Sequence, residues 1–206
     1  MQKRNTRDFI LLEAFKLYAT KTYEQASFTE LEEKTGLTRG AIMYYFKTKE
    51  ILFTEVCDKF LLKESSILDK LEVKANEVSS LNHFISEYIS IVSDLKEYMK
   101  NLGIKNYNKA FINVTLQATF YYPSFEIKAS KWQTMQIYLW KNMIKKAIQS
   151  GEIRSDIDCD VVADLFEDVY CGISYAGLVY PDGIDINRLQ NALKFVYNSL
   201  KETKIA

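Results

Sequence analysis

The run Thr38-Arg39-Gly40-Ala41-Ile42-Met43-Tyr44-Tyr45-Phe46-Lys47-Thr48-Lys49-Glu50-Ile51-Leu52 carries two helix starts within fifteen residues. Thr38 and Thr48 each precede a helix-forming segment, and a threonine hydroxyl there accepts an amide proton that a first helical turn leaves unbonded. One short helix therefore ends and another begins inside this run. Across the first of them, Ile42, Tyr45 and Phe46 form an apolar arc, while Arg39, Ala41, Met43 and Tyr44 project from the other side.

Working back, Ser27-Phe28-Thr29-Glu30 has the spacing of a capping box, with reciprocal side-chain to backbone bonds between Ser27 and Glu30. The helix it starts runs to about Thr35, because Gly36 supplies the left-handed conformation favoured just past a helix end. Two short capped helices around a glycine turn define a helix-turn-helix candidate over residues 28–46. Ahead of it, Ile10, Leu11, Ala14, Phe15, Leu17 and Tyr18 recur at helical spacing and predict a first helix over residues 10–19.

Working forward, Leu81, Phe84, Ile85, Tyr88, Val92, Leu95, Met99 and Leu102 trace a long helical stripe. Further helices are predicted over 107–122, 126–150 and 158–179, and from Asp185 through Leu200. Pro123, Gly151 and Pro181-Asp182-Gly183 separate them. No segment alternates with the period of a strand. Among 206 residues only 7 are glycine and 2 proline, which suits an all-α protein.

No apolar run approaches the roughly 20 residues needed to span a bilayer, and the polar, basic residues 1–7 do not open a secretion signal. A soluble, cytoplasmic protein is expected. Formal net charge is zero, so any affinity for nucleic acid must come from local arrangement. His83 is the only histidine and has no nucleophile motif around it; a phosphate-cradling glycine loop is lacking as well. Neither an enzyme, nor a metal site, nor a cofactor is expected. Cys57, Cys159 and Cys171 are odd in number and widely spaced, which fits neither a disulfide framework nor a zinc site.

The quoted run, extended back through Thr35-Gly36-Leu37, the capping box and Ala14-Phe15-Lys16-Leu17-Tyr18, resembles the signature of the tetracycline-repressor (TetR) family over about residues 7–60. It departs from that pattern at Thr22, where glycine is usual, at Met43, where an aromatic is usual, and at Glu32, where a small alanine is usual. The resemblance implies an all-α protein with a helix-turn-helix DNA-binding domain over residues 1–52. An effector-binding and dimerisation domain would fill 53–206.

On this reading the third helix enters the major groove of operator DNA. Gly40 and Ala41 would let its N-terminus approach closely, Arg39 would meet a guanine edge or phosphate, Ala41 and Met43 a thymine methyl, and the Tyr44 hydroxyl a phosphate or base. Lys49 is where the family typically places a phosphate-contacting lysine, with Lys47 and Thr48 beside it. Ser27, Thr29, Thr38 and Tyr45 complete the expected DNA-binding set, and Lys3, Arg4 and Arg7 would add a basic arm. Glu30, Glu32 and Glu33 make the second helix acidic and are expected to face away from phosphate.

The resemblance further implies a homodimer formed by the last two helices, with Val162, Phe166, Val169, Tyr170, Ile173, Leu189, Leu193, Val196 and Leu200 as expected interface residues. It also implies an unidentified small-molecule effector. The aromatic-rich middle supplies expected pocket residues Tyr88, Tyr107, Phe111, Phe120, Tyr121, Trp132 and Trp140, with Asn113, Gln117 and Gln136 as polar anchors. A repressor released by its effector is the expected function. An activator or an effector-independent DNA-binding protein fits the same residues, and a switch based on cysteine oxidation is a further alternative.

Overall fold

The computed structural model describes residues 5–63 and 67–201, and every regular element among them is helical. Lys3 and Arg4 lie outside the described residues. The chain runs α1 (Thr6–Tyr18), α2 (Phe28–Thr35), α3 (Arg39–Tyr45), α4 (Lys49–Cys57), a π-helical turn (Asp58–Lys63), α5 (Ile67–Glu77), α6 (Leu81–Asn101), α7 (Tyr107–Tyr121), α8 (Phe125–Gln149), α9 (Cys159–Ala176), a 3-10 turn (Gly177–Val179) and α10 (Ile186–Ser199).

The capping residues read from sequence set the small N-terminal unit. Ser27 accepts from the Glu30 amide at 3.2 Å while Glu30 accepts from the Ser27 amide, and Gly36 closes α2 with φ 69°. Thr38 and Thr48 accept from the amides of Ala41 and Ile51. Thr22 needs no left-handed backbone: its turn is closed instead by paired bonds with Gln25, whose amide donates to the Thr22 hydroxyl and whose side chain accepts from the Thr22 amide. Ile10, Phe15, Leu31, Ile42, Phe46 and Phe53 are fully buried between these helices, each contributing about 1.5–3 kcal/mol of apolar burial.

α4 touches α1 on one side and α7 on the other, so the division expected near residue 52 falls inside it. Its last turn widens into the π segment, which buries Phe60 and Leu61 and stacks Phe60 on Phe15 at 4.5 Å.

The larger unit is centred on Trp140 of α8. Its ring stacks on Phe166 at 4.7 Å and meets Phe84 and Tyr88 of α6 at 5.1 and 5.0 Å. α9 packs along α8, and α10 covers α6 and α9. This packing changes two expectations. Tyr88 and Trp140, expected to line a pocket, are fully buried core residues packed on one another. Val162, Phe166, Ile173, Leu189, Leu193, Val196 and Leu200, expected at a subunit interface, are buried within the chain itself, with Val169 and Tyr170 half-buried beside them. Both helices carry apolar residues on more than one face, and the broadest stripe went inward.

α7 is held along its whole length. Asn106 caps it and donates to the carbonyls of Gly177 and Tyr180 at 3.0 and 2.7 Å, tying its start to the α9–α10 connection. Buried Asn108 donates to the Ser174 hydroxyl and accepts from the Ile184 amide. Gly183 is required beside it, because a Cβ there would lie 2.7 Å from the Asn108 oxygen, at φ 74°. No described helix is long and apolar enough to cross a membrane.

Candidate nucleic-acid interface

α3 presents the face its sequence predicted. Ile42 and Phe46 are sealed in the core, Tyr45 is half-buried, and Arg39, Gly40, Met43 and Tyr44 are exposed, Tyr44 at 82%. Ser27, Thr29, Thr38, Lys47 and Thr48 are exposed around this face, and Ala41 is partly so. A helix of seven residues carrying a guanidinium, a phenol and small residues on one free side suits insertion in a major groove.

Three members of the basic set already have partners. Arg39 donates to the Thr29 hydroxyl at 3.0 Å and pairs with Glu32 at 3.7 Å. The same Glu32 accepts from the Arg39 amide at 2.5 Å, so a carboxylate occupies the start of α3 where an open approach for phosphate was expected. Glu32 is therefore engaged with the start of α3; Glu30 is engaged by Lys21, whose hydrogen bond holds its carboxyl below the usual range. Lys49 donates to the Glu24 carbonyl at 3.3 Å and sits 4.5 Å from the Tyr23 ring centre, where partial burial lowers its pKa despite Glu24 and Glu50. Arg7 lies over Phe46 and pairs with Glu55, which anchors α1 to α4 instead of extending an arm.

Behind this face, α7 grips the N-terminal unit. The Asn113 amide donates to the Ala19 carbonyl at 3.0 Å, and the Gln117 amide donates to Tyr18 at 3.0 Å and to Lys21 at 3.3 Å. These are carbonyls at and just beyond the end of α1, which lack intrahelical partners. Tyr121 stacks on Tyr23 at 4.3 Å, and Tyr23 in turn lies against Lys49 and Phe53. Tyr122 donates to Asp58 at 2.8 Å, and Lys128 pairs with the same carboxylate at the start of the π turn. Gln117 and Tyr121, expected to line a pocket, instead join α7 to the N-terminal unit; Asn113 joins it too and also lines a separate cavity of about 590 Å³ between α1 and α7, and Phe120 projects outward at 82% exposure.

A cavity of about 340 Å³ does open between α7, α8 and α9. Tyr107, Phe111 and Trp132 line it as expected; Gln136 is buried one turn beyond Trp132 and is not part of the wall. Sequence reasoning missed Asn108, Gln133, Glu167, Tyr170, Cys171, Ser174 and Tyr175 on its walls. Burial raises the Glu167 pKa, offset in part by contacts with Gln133, Cys171 and Trp140. Burial also pushes the Cys57 thiol up, and it carries Cys171, with Glu167 adjacent, to about 12, so both are poor thiolates.

The geometry agrees with what known proteins show. Residues 10–56 match the model of the family described as bacterial regulatory proteins, tetR family. The HTH-type transcriptional repressor AcnR of Corynebacterium jeikeium (strain K411) is 26% identical over 195 residues, covering 93% of this chain and 90% of that protein. Among solved structures, the TetR family transcriptional regulator PfmR of Thermus thermophilus superposes with a TM-score of 0.69 at 18% identity, covering 94% of this chain and 99% of the other. A TetR family regulator of Cytophaga hutchinsonii gives 0.66 at 20% identity, covering 97% and 96%. Residues 10–56, with their capped helix-turn-helix, are thus the N-terminal unit of bacterial regulatory proteins of the tetR family, and the chain as a whole is similar to such regulators along nearly its full length.

Proposed function

We propose that this regulator represses transcription as a cytoplasmic homodimer that holds operator DNA through α3 and Lys49, and releases it when a small molecule fills the cavity between α7, α8 and α9. The observation that carries the reading is the double engagement of α7. It supplies Tyr107, Asn108, Phe111 and Ile112 to the cavity and, from the next residue onward, Asn113, Gln117 and Tyr121 to the N-terminal unit. A ligand that fits better when α7 is displaced favours an arrangement in which α1 and Tyr23 follow it, altering the spacing of the two recognition helices.

Two copies are needed because a single short helix reads too few base pairs to find one operator among genomic competitors. The surface available for pairing is the remaining apolar face of α9, with Val161, Leu165, Tyr175 and, just beyond it, Val179, beside Phe195 of α10; Gly172 on the same side leaves room for close approach. The division into a DNA-binding unit over residues 1–52 and an effector-binding and dimerisation unit over 53–206 is part of the same proposal, with α4 as their shared joint.

The test is electrophoretic mobility shift with the chain's own upstream chromosomal DNA. The unaltered protein should shift a fragment and Arg39→Ala should not, while both sediment as dimers. Equal shifts by the two proteins would overturn the placement of α3 on DNA.

A further inference from the structure

One acid in the cavity is only partly satisfied by the fold, through contacts with Gln133, Cys171 and Trp140. Glu167 is only 2% exposed, yet its Oε2 has no hydrogen-bond partner, and Oε1 is met by the Gln133 amide at 3.2 Å and the Cys171 thiol at 3.7 Å. The other residues on the cavity wall are Tyr107, Asn108, Phe111, Ile112, Trp132, Tyr170, Ser174 and Tyr175; no lysine, arginine or histidine is among them. The indole N–H of Trp132 is also buried without an acceptor. A buried carboxylate lacking a counter-ion is an unfavourable group, relieved either by taking up a proton or by pairing with a cation from outside the chain.

The geometry points to an effector that is a largely apolar amine carrying one positive charge, its ammonium group seated on Glu167 and its apolar body against the rings of Tyr107, Phe111, Trp132 and Tyr170. Four considerations converge on this class. The free oxygen accepts a hydrogen bond and, when ionised, attracts a cation. The surrounding rings offer electron-rich faces to the same charge. An anionic ligand would meet Glu167 with no basic group to offset it. The volume of about 340 Å³ accommodates a small aromatic amine. This inference rests on the reading of the cavity as the effector site.

The experiment uses the full-length protein and three matched probes, 2-(2-naphthyl)ethylammonium, 2-(2-naphthyl)ethanol and 2-naphthylacetate, titrated by calorimetry at pH 7.5. The ammonium should bind about tenfold or more tightly than the alcohol, as a desolvated charge pair requires, and the carboxylate should show no binding. In Glu167→Gln, which keeps the side-chain shape, the preference for ammonium over alcohol should fall below about threefold while the alcohol binds as before. Trp132→Leu should weaken the ammonium more than the alcohol. Equal binding of all three probes, binding of none at millimolar concentration, or an ammonium preference that survives Glu167→Gln would overturn the assignment.

Operator release, measured in parallel, separates this inference from the function proposed above. Glu167-dependent ammonium binding that leaves the DNA complex intact supports the ligand class and refutes effector release. Release by the alcohol or carboxylate alone supports effector release and refutes the class.

Discussion

Glu32 sits at the start of α3 against Arg39, so replacing it with glutamine tests whether Arg39 is held in reserve on the proposed DNA-binding face. In the free chain the Glu32 carboxylate pairs with the Arg39 guanidinium at 3.7 Å and accepts from the Arg39 amide, while Thr29 holds the other end of the guanidinium. Both side chains are substantially exposed, so solvent screening limits the pair to about 0.2–1 kcal/mol. Glutamine keeps an acceptor for the amide but removes the charge. Each subunit of a dimer then gives up that hold on Arg39, and affinity should rise roughly 2- to 30-fold for about 0.4–2 kcal/mol over both subunits. Loss of a negative charge beside phosphate should also steepen the salt dependence. Fluorescence anisotropy with a labelled upstream duplex, titrated at two salt concentrations, measures both quantities. Weaker binding by Glu32→Gln would refute the reasoning, since it would mean that Glu32 orients Arg39 for base contact and does not restrain it.

Other consequences can be checked with the same material. Lys49→Ala should lower affinity almost equally for all DNA sequences and reduce the salt slope by about 1 per subunit, measured by anisotropy. Replacing both Asn113 and Gln117 by leucine leaves carbonyls at the end of α1 without these donors; melting should show a loss of about 1–3 kcal/mol, and effector should displace DNA less completely. Leu165→Glu with Phe195→Glu should yield monomers in sedimentation velocity without loss of helicity, because both side chains are exposed in the single chain. The raised pKa of Glu167 means that the folded state holds this proton more tightly than the unfolded chain does. Its contribution to stability is therefore full below the unfolded value near 4.5 and is lost as pH rises through the folded value. Glu167→Gln should remove that loss and raise the melting temperature at neutral pH relative to the unaltered protein, with little difference at pH 4.

The N-terminal unit was legible because its information is local. Ser27, Thr38 and Thr48 act within three residues of themselves and Gly36 acts on its own backbone, so composition at those positions is nearly sufficient. Helix ends elsewhere followed similarly from Asp158, Asp185 and Gly151. The π turn after Cys57 left no such mark, since Asp58-Lys59-Phe60-Leu61-Leu62-Lys63 continues an ordinary helical pattern and its widening is set by the packing of Phe60 and by Asp58 reaching Tyr122 and Lys128.

The site in the second unit was harder to read for a different reason. α9 is apolar on two sides, and periodicity does not say which side meets α8 and which stays open; Val162, Phe166 and Ile173 turned inward, leaving Val161 and Leu165 outside. Glu167 passed unnoticed because a glutamate beside Asp168 reads as part of a solvated face. A sign was present: it follows Ala163 by four residues and precedes Tyr170 by three, which places it on the arc that meets α8. The polar residues of α7 misled in the opposite sense, since amides among aromatics suggest a ligand, whereas Asn113 and Gln117 serve the carbonyls that α1 leaves open.

The claim on which the account depends is that the outward side of α3 lies in the groove of operator DNA, and photocrosslinking measures this directly. With benzoylphenylalanine placed at Tyr44, irradiation of the complex with upstream DNA should join protein to duplex, and the same label at exposed Tyr138 of α8 should not. Crosslinking from position 138 but not from position 44, in a preparation that binds the fragment, would contradict it.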